Sequence, residues 1–403
     1  MDNPEVTISD ARAALAAAHG LAPSGQRRGV EGTLEVFHRL QCVQSDPIDV
    51  AGRNADLTLQ SRVMDYRQHY LHNLLYEQRR LFEFFCKMLS VVPIETYPIF
   101  KPRMAEFERK RAAAFLRKYA KETRIVLIAA ESGPVSSREF ANMGTMKGAW
   151  GHQANVSSVI LSRLWCSGKV MIHHREGGVK YYTLPDAVIP KDLLSAESPA
   201  RAEATKAKAK LIISASRLVS AARSPEQWYY VGKTDAVREI LAALEREGQV
   251  FSLKLRGHDE KLFAPSEDRE LWERPPAAPD EDYVRFLAPL DPLIWNRQLF
   301  QRVYGMDYTW EVYKRPEERK FGYYCLPVMF NGAAVGLIDP FFRKNDRVLE
   351  VRNFHMLRRD IDRERFISAL NAALQRFCAY LGAEKIETRQ RRVGKWILSE
   401  RRG

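Results

Sequence analysis

Three observations on the 403-residue chain predict an α+β fold of tandem winged-helix (helix-turn-helix) units ahead of a C-terminal β-barrel-like domain. Residues 124–184 read as three short helices followed by two strands that meet at Glu176, Gly177 and Gly178. A similar order recurs over 202–264, and a Pro/Ala-rich linker at 274–279 then gives way to runs that alternate or stay apolar, as strands do. Three helices and a two-stranded wing make a winged helix. The expected divisions are 1–122 (helical or winged-helix), 123–199 and 200–273 (winged helices), and 280–403 (β-domain, closing helix and basic tail).

Each element has a local cause. Ser9 suits the N-cap of a helix to about residue 19, which Gly20 ends. Gly32 opens a second helix over 33–40, with Leu34, Phe37 and Leu40 at helical spacing. Residues 65–121 read as further helix, charged on one face over 104–121. Then come a helix at 125–131, a turn at Gly133 and Pro134, a helix capped by Ser136 or Ser137 through Phe140, a third at 157–166, and the wing at 168–184. The second unit has helices at 202–222 and 236–247, the latter apolar through Val237, Ile240, Leu241 and Leu244. A hairpin of 249–255 and 261–264 follows around Gly257. Strands are expected at 308–312, 322–330, 333–338 and 348–351, with a hairpin turn at Asn331-Gly332. A helix at 362–381 closes the domain through Phe366, Leu370, Leu374, Phe377 and Leu381.

Composition narrows the class. Lys and Arg total 63 against 50 acidic residues, a net charge of +13, which fits a partner rich in phosphates. The same charge also suits a basic cytosolic protein with no such partner. Cysteines at 42, 86, 166, 325 and 378 show no CxxC spacing, which argues against a zinc site and for a reducing cytosol. The start of the chain is acidic, unlike a signal peptide, and the apolar run 125–130 is too short to span a membrane. No P-loop or Gly-rich strand-to-helix turn is present, so no nucleotide cofactor and no metal is expected.

The stretch from Leu40 to Val50 carries the most chemical information. It places Gln44 and Asp46 two residues apart, and in an extended segment such residues share a face. Gln44 could hold a water beside the Asp46 carboxylate, with Arg53 as a positive anchor. That suits hydrolysis of a bond whose leaving group needs no acid. The plainer reading is a strand end where Asp46-Pro47 begins a turn. His173, His174, Arg175 and Lys180 make a basic hairpin suited to phosphates, and the His pair alone is a weak metal argument. Arg389, Arg391, Arg392, Lys395, Arg401 and Arg402 surround Trp396 in a tail that reads as solvated surface or as DNA contact.

Gln44-x-Asp46-x-Ile48-x-Val50-x-x-Arg53, with Leu59-x-Ser61-Arg62, resembles the active-site region of the YcaQ/AlkZ winged-helix DNA glycosylases, which carry a Gln-x-Asp or Gln-x-Gln motif. Further blocks match in the family's order: Leu81 to Phe85 with Leu89, Val92 and Pro93; Tyr97, Pro98 and Pro102 to Met104; Leu287 to Arg297; Gly305 to Tyr308; Glu311 to Tyr313; Gly322 to Pro327; Gly336 and Asp339. Ser45 stands where the family is usually apolar, and Asn54, Ala55 and Asp56 stand where members often have His.

The resemblance implies a role for each candidate. Asp46 would face the oxocarbenium-like sugar and Gln44 would orient water. Arg53 and Arg62 would face DNA, and Asp291 with Trp295, Asn296 and Arg297 would lie near the cleft, Arg297 on a phosphate or the lesion. The plainer alternative there is a buried Trp and an Asp–Arg pair holding a loop. One of Tyr323 and Tyr324 could stack on a base while the other faces the core. The implied reaction is excision of alkylated purines of the N7-alkylguanine type from double-stranded DNA, crosslinked bases included, leaving an abasic site. An N7-alkylated base is already cationic and leaves without an acid or a metal. No lysine stands out near the motif, so a monofunctional enzyme is expected, acting as a cytoplasmic, nucleoid-associated monomer. The rival is a non-catalytic winged-helix regulator bound to paired half-sites, supported by the departures at Ser45 and 54–56. An RNA-binding role lacks any module signature.

Overall fold

A computed structural model describes residues 4–23, 27–147, 153–222, 226–358, 360–388, 390–394 and 396, with backbone only for Arg391 and Arg392. The chain forms two compact units. One comprises Met1–Leu71, Phe84–Val91 and Ala209–Gly403, the other His72–Glu83 and Val92–Lys208.

In the first unit, helices Ile8–Ala18 and Gly29–Leu40 lead to the motif. Thr7, not Ser9, caps the first: it is extended, and its hydroxyl accepts the Asp10 amide at 3.1 Å, whereas Ser9 already lies in the helical turn. The second starts at Gly29 rather than after Gly32, because the Gly29 amide is taken by Asp65 Oδ1 at 2.9 Å. Its apolar stripe of Leu34, Phe37 and Leu40 is buried, as the spacing predicts. Gln41, in the left-handed region at φ 60°, ends it and turns the chain into the strand Val43–Gln44. Helix Asn54–Gln60 follows.

The same unit holds a curled five-stranded sheet of Val284–Phe286, Leu326–Phe330, Ala333–Arg343, Val348–Met356 and Lys385–Glu387, neighbours in that order. All pairs are antiparallel except the last, and bulges at Val328/Met329 and Asp339/Pro340 bend it. Pro340 sits at a bulge, where its missing N–H costs least. Asn331 and Gly332, both at positive φ, make the expected hairpin turn. Helix Arg363–Leu381, capped by Asp362, packs on the sheet through Phe366 against Phe330 and Phe377 against Phe286.

Two expected strands are revised. Residues 308–312 form no strand, because Tyr308 bonds the Cys325 carbonyl and Glu311–Tyr313 is one 3-10 turn folded around the Glu311 carboxylate. The run 322–330 becomes a strand only at Leu326, since the Tyr324 amide goes to Asp339 Oδ1 instead of the ladder. A smaller sheet pairs Val250–Leu255 with Leu262–Pro265, as expected, and adds Glu5–Val6 in parallel. Helix Thr234–Arg246 precedes it, while Arg201–Ser216 stops short of 222 where buried Arg217 turns left-handed at φ 57°.

The second unit contains helix Ala120–Ser132, a 3-10 turn Ser137–Met143 with a Ser136/Glu139 capping box, helix Val156–Cys166, and the antiparallel hairpin Met171–Glu176 and Val179–Thr183. The expected continuous helix over 65–121 is interrupted. Leu81–Phe85 and Leu89–Pro93 are strands, in keeping with their short aromatic and β-branched runs. No helix among the described residues is long and apolar enough to cross a membrane.

Candidate active site

The motif is held at both ends. Val43 and Gln44 pair with Val91 and Ser90, and the Ser45 amide donates to the Leu89 carbonyl at 2.8 Å, which keeps the backbone extended through Gln44. Asp46 then leaves the ladder, its Oδ1 accepting the Ile48 amide at 3.0 Å in a turn that Pro47 enforces. Three contacts pin the loop beyond. Asp49 takes the Gly52 amide at 3.1 Å and Lys344 at 2.9 Å, and the Val50 carbonyl accepts the Phe342 amide at 3.0 Å. Gly52, at φ 108°, lies so close under the Tyr380 hydroxyl that a Cβ would collide with it.

Gln44 is only 7% exposed. Its backbone carbonyl accepts Asn54 Nδ2 at 2.8 Å, and Asn54 Oδ1 accepts the Leu290 amide at 2.9 Å, so one buried amide ties the motif to the 290s loop. Its side-chain Oε1 accepts Lys87 Nζ at 3.0 Å. Lys87 is itself buried, with Nζ 5.3 Å from the Trp295 ring centre. Burial lowers the Lys87 pKa to about 8, opposed by Glu226 and Cys42 and reinforced by Arg297. A lysine therefore stands beside the motif, contrary to the expectation that none did. The clue in the sequence was a lone cation inside the apolar run Phe84 to Leu89.

Asp46 is half-buried and has no cationic partner among the described residues. Burial pushes its carboxyl above the usual range, with the Ile48 amide opposing. Tyr313 and Tyr324 lie near enough that the Asp46 charge adds to burial in raising both phenols. Tyr324 is buried, whereas Tyr313 is 80% exposed and edge-on to Trp310 at 5.7 Å. Glu311 fastens this aromatic loop: despite burial, hydrogen bonds from Lys314 and the amides of Phe321, Lys320 and Gly322 hold its pKa down at about 2.

The other candidates divide. Arg53 precedes helix Asn54–Gln60 and is half-buried. Its charge acts on Asp56, which burial raises to about 6 against the opposing Tyr66 hydroxyl and Arg53. Arg62 is a correction: its side chain is fully buried and cannot face DNA. It grips Asp291 through two bonds of 2.7 and 2.9 Å, and its Nε donates to the His19 carbonyl. Trp295 and Asn296 are buried too. Trp295 Nε1 donates to the Leu290 carbonyl, and Asn296 Oδ1 caps helix Arg297–Tyr304, leaving Arg297 exposed at its start. Tyr323 is half-exposed beneath Arg319.

A family model described as DNA glycosylase AlkZ-like matches residues 37–380. The chain belongs to the AlkZ-like DNA glycosylase family. It is similar in fold to the Streptomyces sahachiroi DNA glycosylase AlkZ, with a TM-score of 0.64 over 96% of this chain and 99% of that one, at 16% identity. This AlkZ-like glycosylase is thus a DNA-repair enzyme whose substrate is DNA.

In the second unit of the AlkZ-like chain, the hairpin candidates behave differently from one another. Arg175 is committed to buried Glu83, with Nε–Oε1 at 2.9 Å and Nη2–Oε2 at 2.5 Å. Lys180 lies 4.4 Å over the Trp165 ring, its pKa lowered by burial. His174 stacks on Tyr181 at 4.5 Å and touches His173 at 2.8 Å. Arg391 lies in the turn Arg391–Gly394, but its side chain, like Arg389, Lys395, Arg401 and Arg402, falls outside the described residues. Trp396 packs on Phe354 and Phe366.

Proposed function

We propose that this AlkZ-like glycosylase hydrolyses the N-glycosidic bond of alkylated purines of the N7-alkylguanine type in double-stranded DNA, interstrand crosslinks included, with Asp46 and Gln44 as its catalytic pair. The observation that carries this reading is the state of Asp46: half-buried, unpaired by any cation among the described residues, and two residues from a rigidly held amide. A fixed carboxylate of that kind opposes the positive charge that grows on the sugar, and does so more strongly where water is excluded. It can also take a proton from the attacking water. The N7-alkylated base is cationic while attached and takes the bonding electron pair to depart neutral, so neither a general acid nor a metal enters the scheme.

Exposed Arg297 and half-buried Arg53 supply phosphate contacts, and Tyr323 offers a face for a base. The helix-and-hairpin segments within 123–199 and 200–273 act as winged helices on the DNA backbone, with His174 and Lys180 from the first wing. Arg62 and Arg175 serve the scaffold instead. The enzyme works as a cytoplasmic monomer without nucleotide cofactor, and as a monofunctional glycosylase, since Lys87 is engaged by Gln44.

The test is a labelled duplex with a single N7-alkylguanine and a second with an N7–N7 crosslink, abasic sites being revealed by alkali. Wild type should excise, and Asp46→Asn should lose about 10²- to 10³-fold in rate. Borohydride should trap no protein–DNA adduct. No excision, with salt-sensitive binding to paired half-sites in undamaged DNA, would favour the regulator instead.

A further inference from the structure

We infer that Lys87 is a positioning residue that fixes the rotamer and the flip of the Gln44 amide, so that its NH2 group is left to donate to the substrate. This deepens the proposed role of Gln44 and rests on it.

The geometry is specific. An ammonium can only donate, so the Gln44 atom 3.0 Å from Lys87 Nζ must be the carbonyl oxygen Oε1. That settles the amide orientation, which heavy-atom positions alone leave ambiguous. Nε2 then points away from Lys87, and it donates no hydrogen bond among the described residues. The backbone carbonyl of Gln44 is separately held by Asn54, which fixes the backbone from which the side chain springs. Lys87 is held in turn by the Trp295 ring and by the short turn in which the Cys86 amide donates to the Met88 carbonyl. The charged and titratable groups acting on it are Glu226, Cys42 and Arg297. With one lone pair of Oε1 engaged by an ammonium, that oxygen is the poorer acceptor, and Nε2 is the group left to act on the substrate. Nε2 can donate to the oxygen of the attacking water or to a sugar or phosphate oxygen. The proton of the attacking water goes to the Asp46 carboxylate, since a neutral amide is not a base.

Burial leaves Lys87 with a pKa of about 8, so the clamp weakens within reach of ordinary assay conditions. Two readouts follow. With selective ¹⁵N-glutamine labelling, the side-chain resonance that Gln44→Ala removes should move with a midpoint near pH 8 in wild type. It should stay flat in Lys87→Met and in Lys87→Arg, whose cation does not titrate there. In single-turnover excision at pH 7, Lys87→Met should lose roughly 10-fold or more in rate with lesion-DNA affinity unchanged, the size expected when a reacting group is misplaced. Lys87→Arg should recover most of that rate and lose the alkaline decline.

A Gln44 resonance that is the same in wild type and in Lys87→Met, or a Lys87→Met rate equal to wild type, overturns the clamp. The two readings fail separately. If wild type excises nothing while the Gln44 resonance titrates and Lys87→Met abolishes the titration, the clamp stands and the glycosylase assignment of the motif falls.

Discussion

In the proposed scheme, the balance between water and apolar surroundings at Asp46 decides the acid limb of the reaction. Burial favours the protonated form and so raises the pKa, while the working form is the carboxylate. Excision should therefore fall with decreasing pH through a midpoint above the roughly 3.9 of a free aspartate. The residual rate of Asp46→Asn should show no such limb. A wild-type single-turnover rate that stays flat down to pH 4 would remove Asp46 from the chemistry. Gln44 and Asp46 were legible in the chain because their relation is local, two residues in an extended stretch. Lys87 was not, since its partner lies 43 positions away. Arg62 was misread for a related reason: spacing reveals a long cation but not whether it turns outward to a phosphate or inward to a carboxylate 229 residues later.

The element that presents the motif is the loop after Asp46, and Gly52 is its tightest point. A side chain there would meet two obstacles, the Tyr380 hydroxyl and a φ of 108° that L-residues avoid. Gly52→Ala should cost roughly 1–3 kcal/mol of stability, typical of overpacking. Adding Tyr380→Phe should return only part of the steric loss, since the ring carbon Cζ still lies 2.9 Å from the new Cβ, and leave the backbone part, as read from urea midpoints. Equal stability of Gly52→Ala and wild type would mean the loop is not held as described. Long periodic elements were readable at this scale: the stripes of Gly29–Leu40 and Thr234–Arg246, and the helix Arg363–Leu381. The three-residue strands Val284–Phe286 and Lys385–Glu387 show too few residues for a period to emerge, and exist because neighbours in the sheet complete their hydrogen bonds. The 3-10 turn at Glu311–Tyr313 replaced an expected strand because a buried carboxylate collected amides that a ladder would have used.

Across the first unit, the Arg62–Asp291 pair joins the N-terminal helices to the sheet-bearing half of the chain. Both side chains are fully buried, so removing one strands the other charge without water. Arg62→Ala should destabilise by about 3–5 kcal/mol, whereas replacing both with apolar residues of similar volume should restore most of it. Global unfolding in urea, followed by fluorescence, decides the point, and a loss below about 1 kcal/mol would show the pair to be incidental. The α+β class and the helix–hairpin order were visible from pattern alone. The interleaving of the two units was not, because the chain passes between them at Leu71/His72, Glu83/Phe84, Val91/Val92 and Lys208/Ala209 without any linker-like composition. That interleaving sets a timetable during synthesis. A ribosome delivers Gln44 and Asp46 first, the lysine that orients the amide some forty residues later, and Leu290, which holds Asn54, and Asp291, which holds Arg62, only about 240 residues after the pair. Until then the nascent chain carries the proposed pair without its frame, so any competence of that pair waits for residues made far downstream of it.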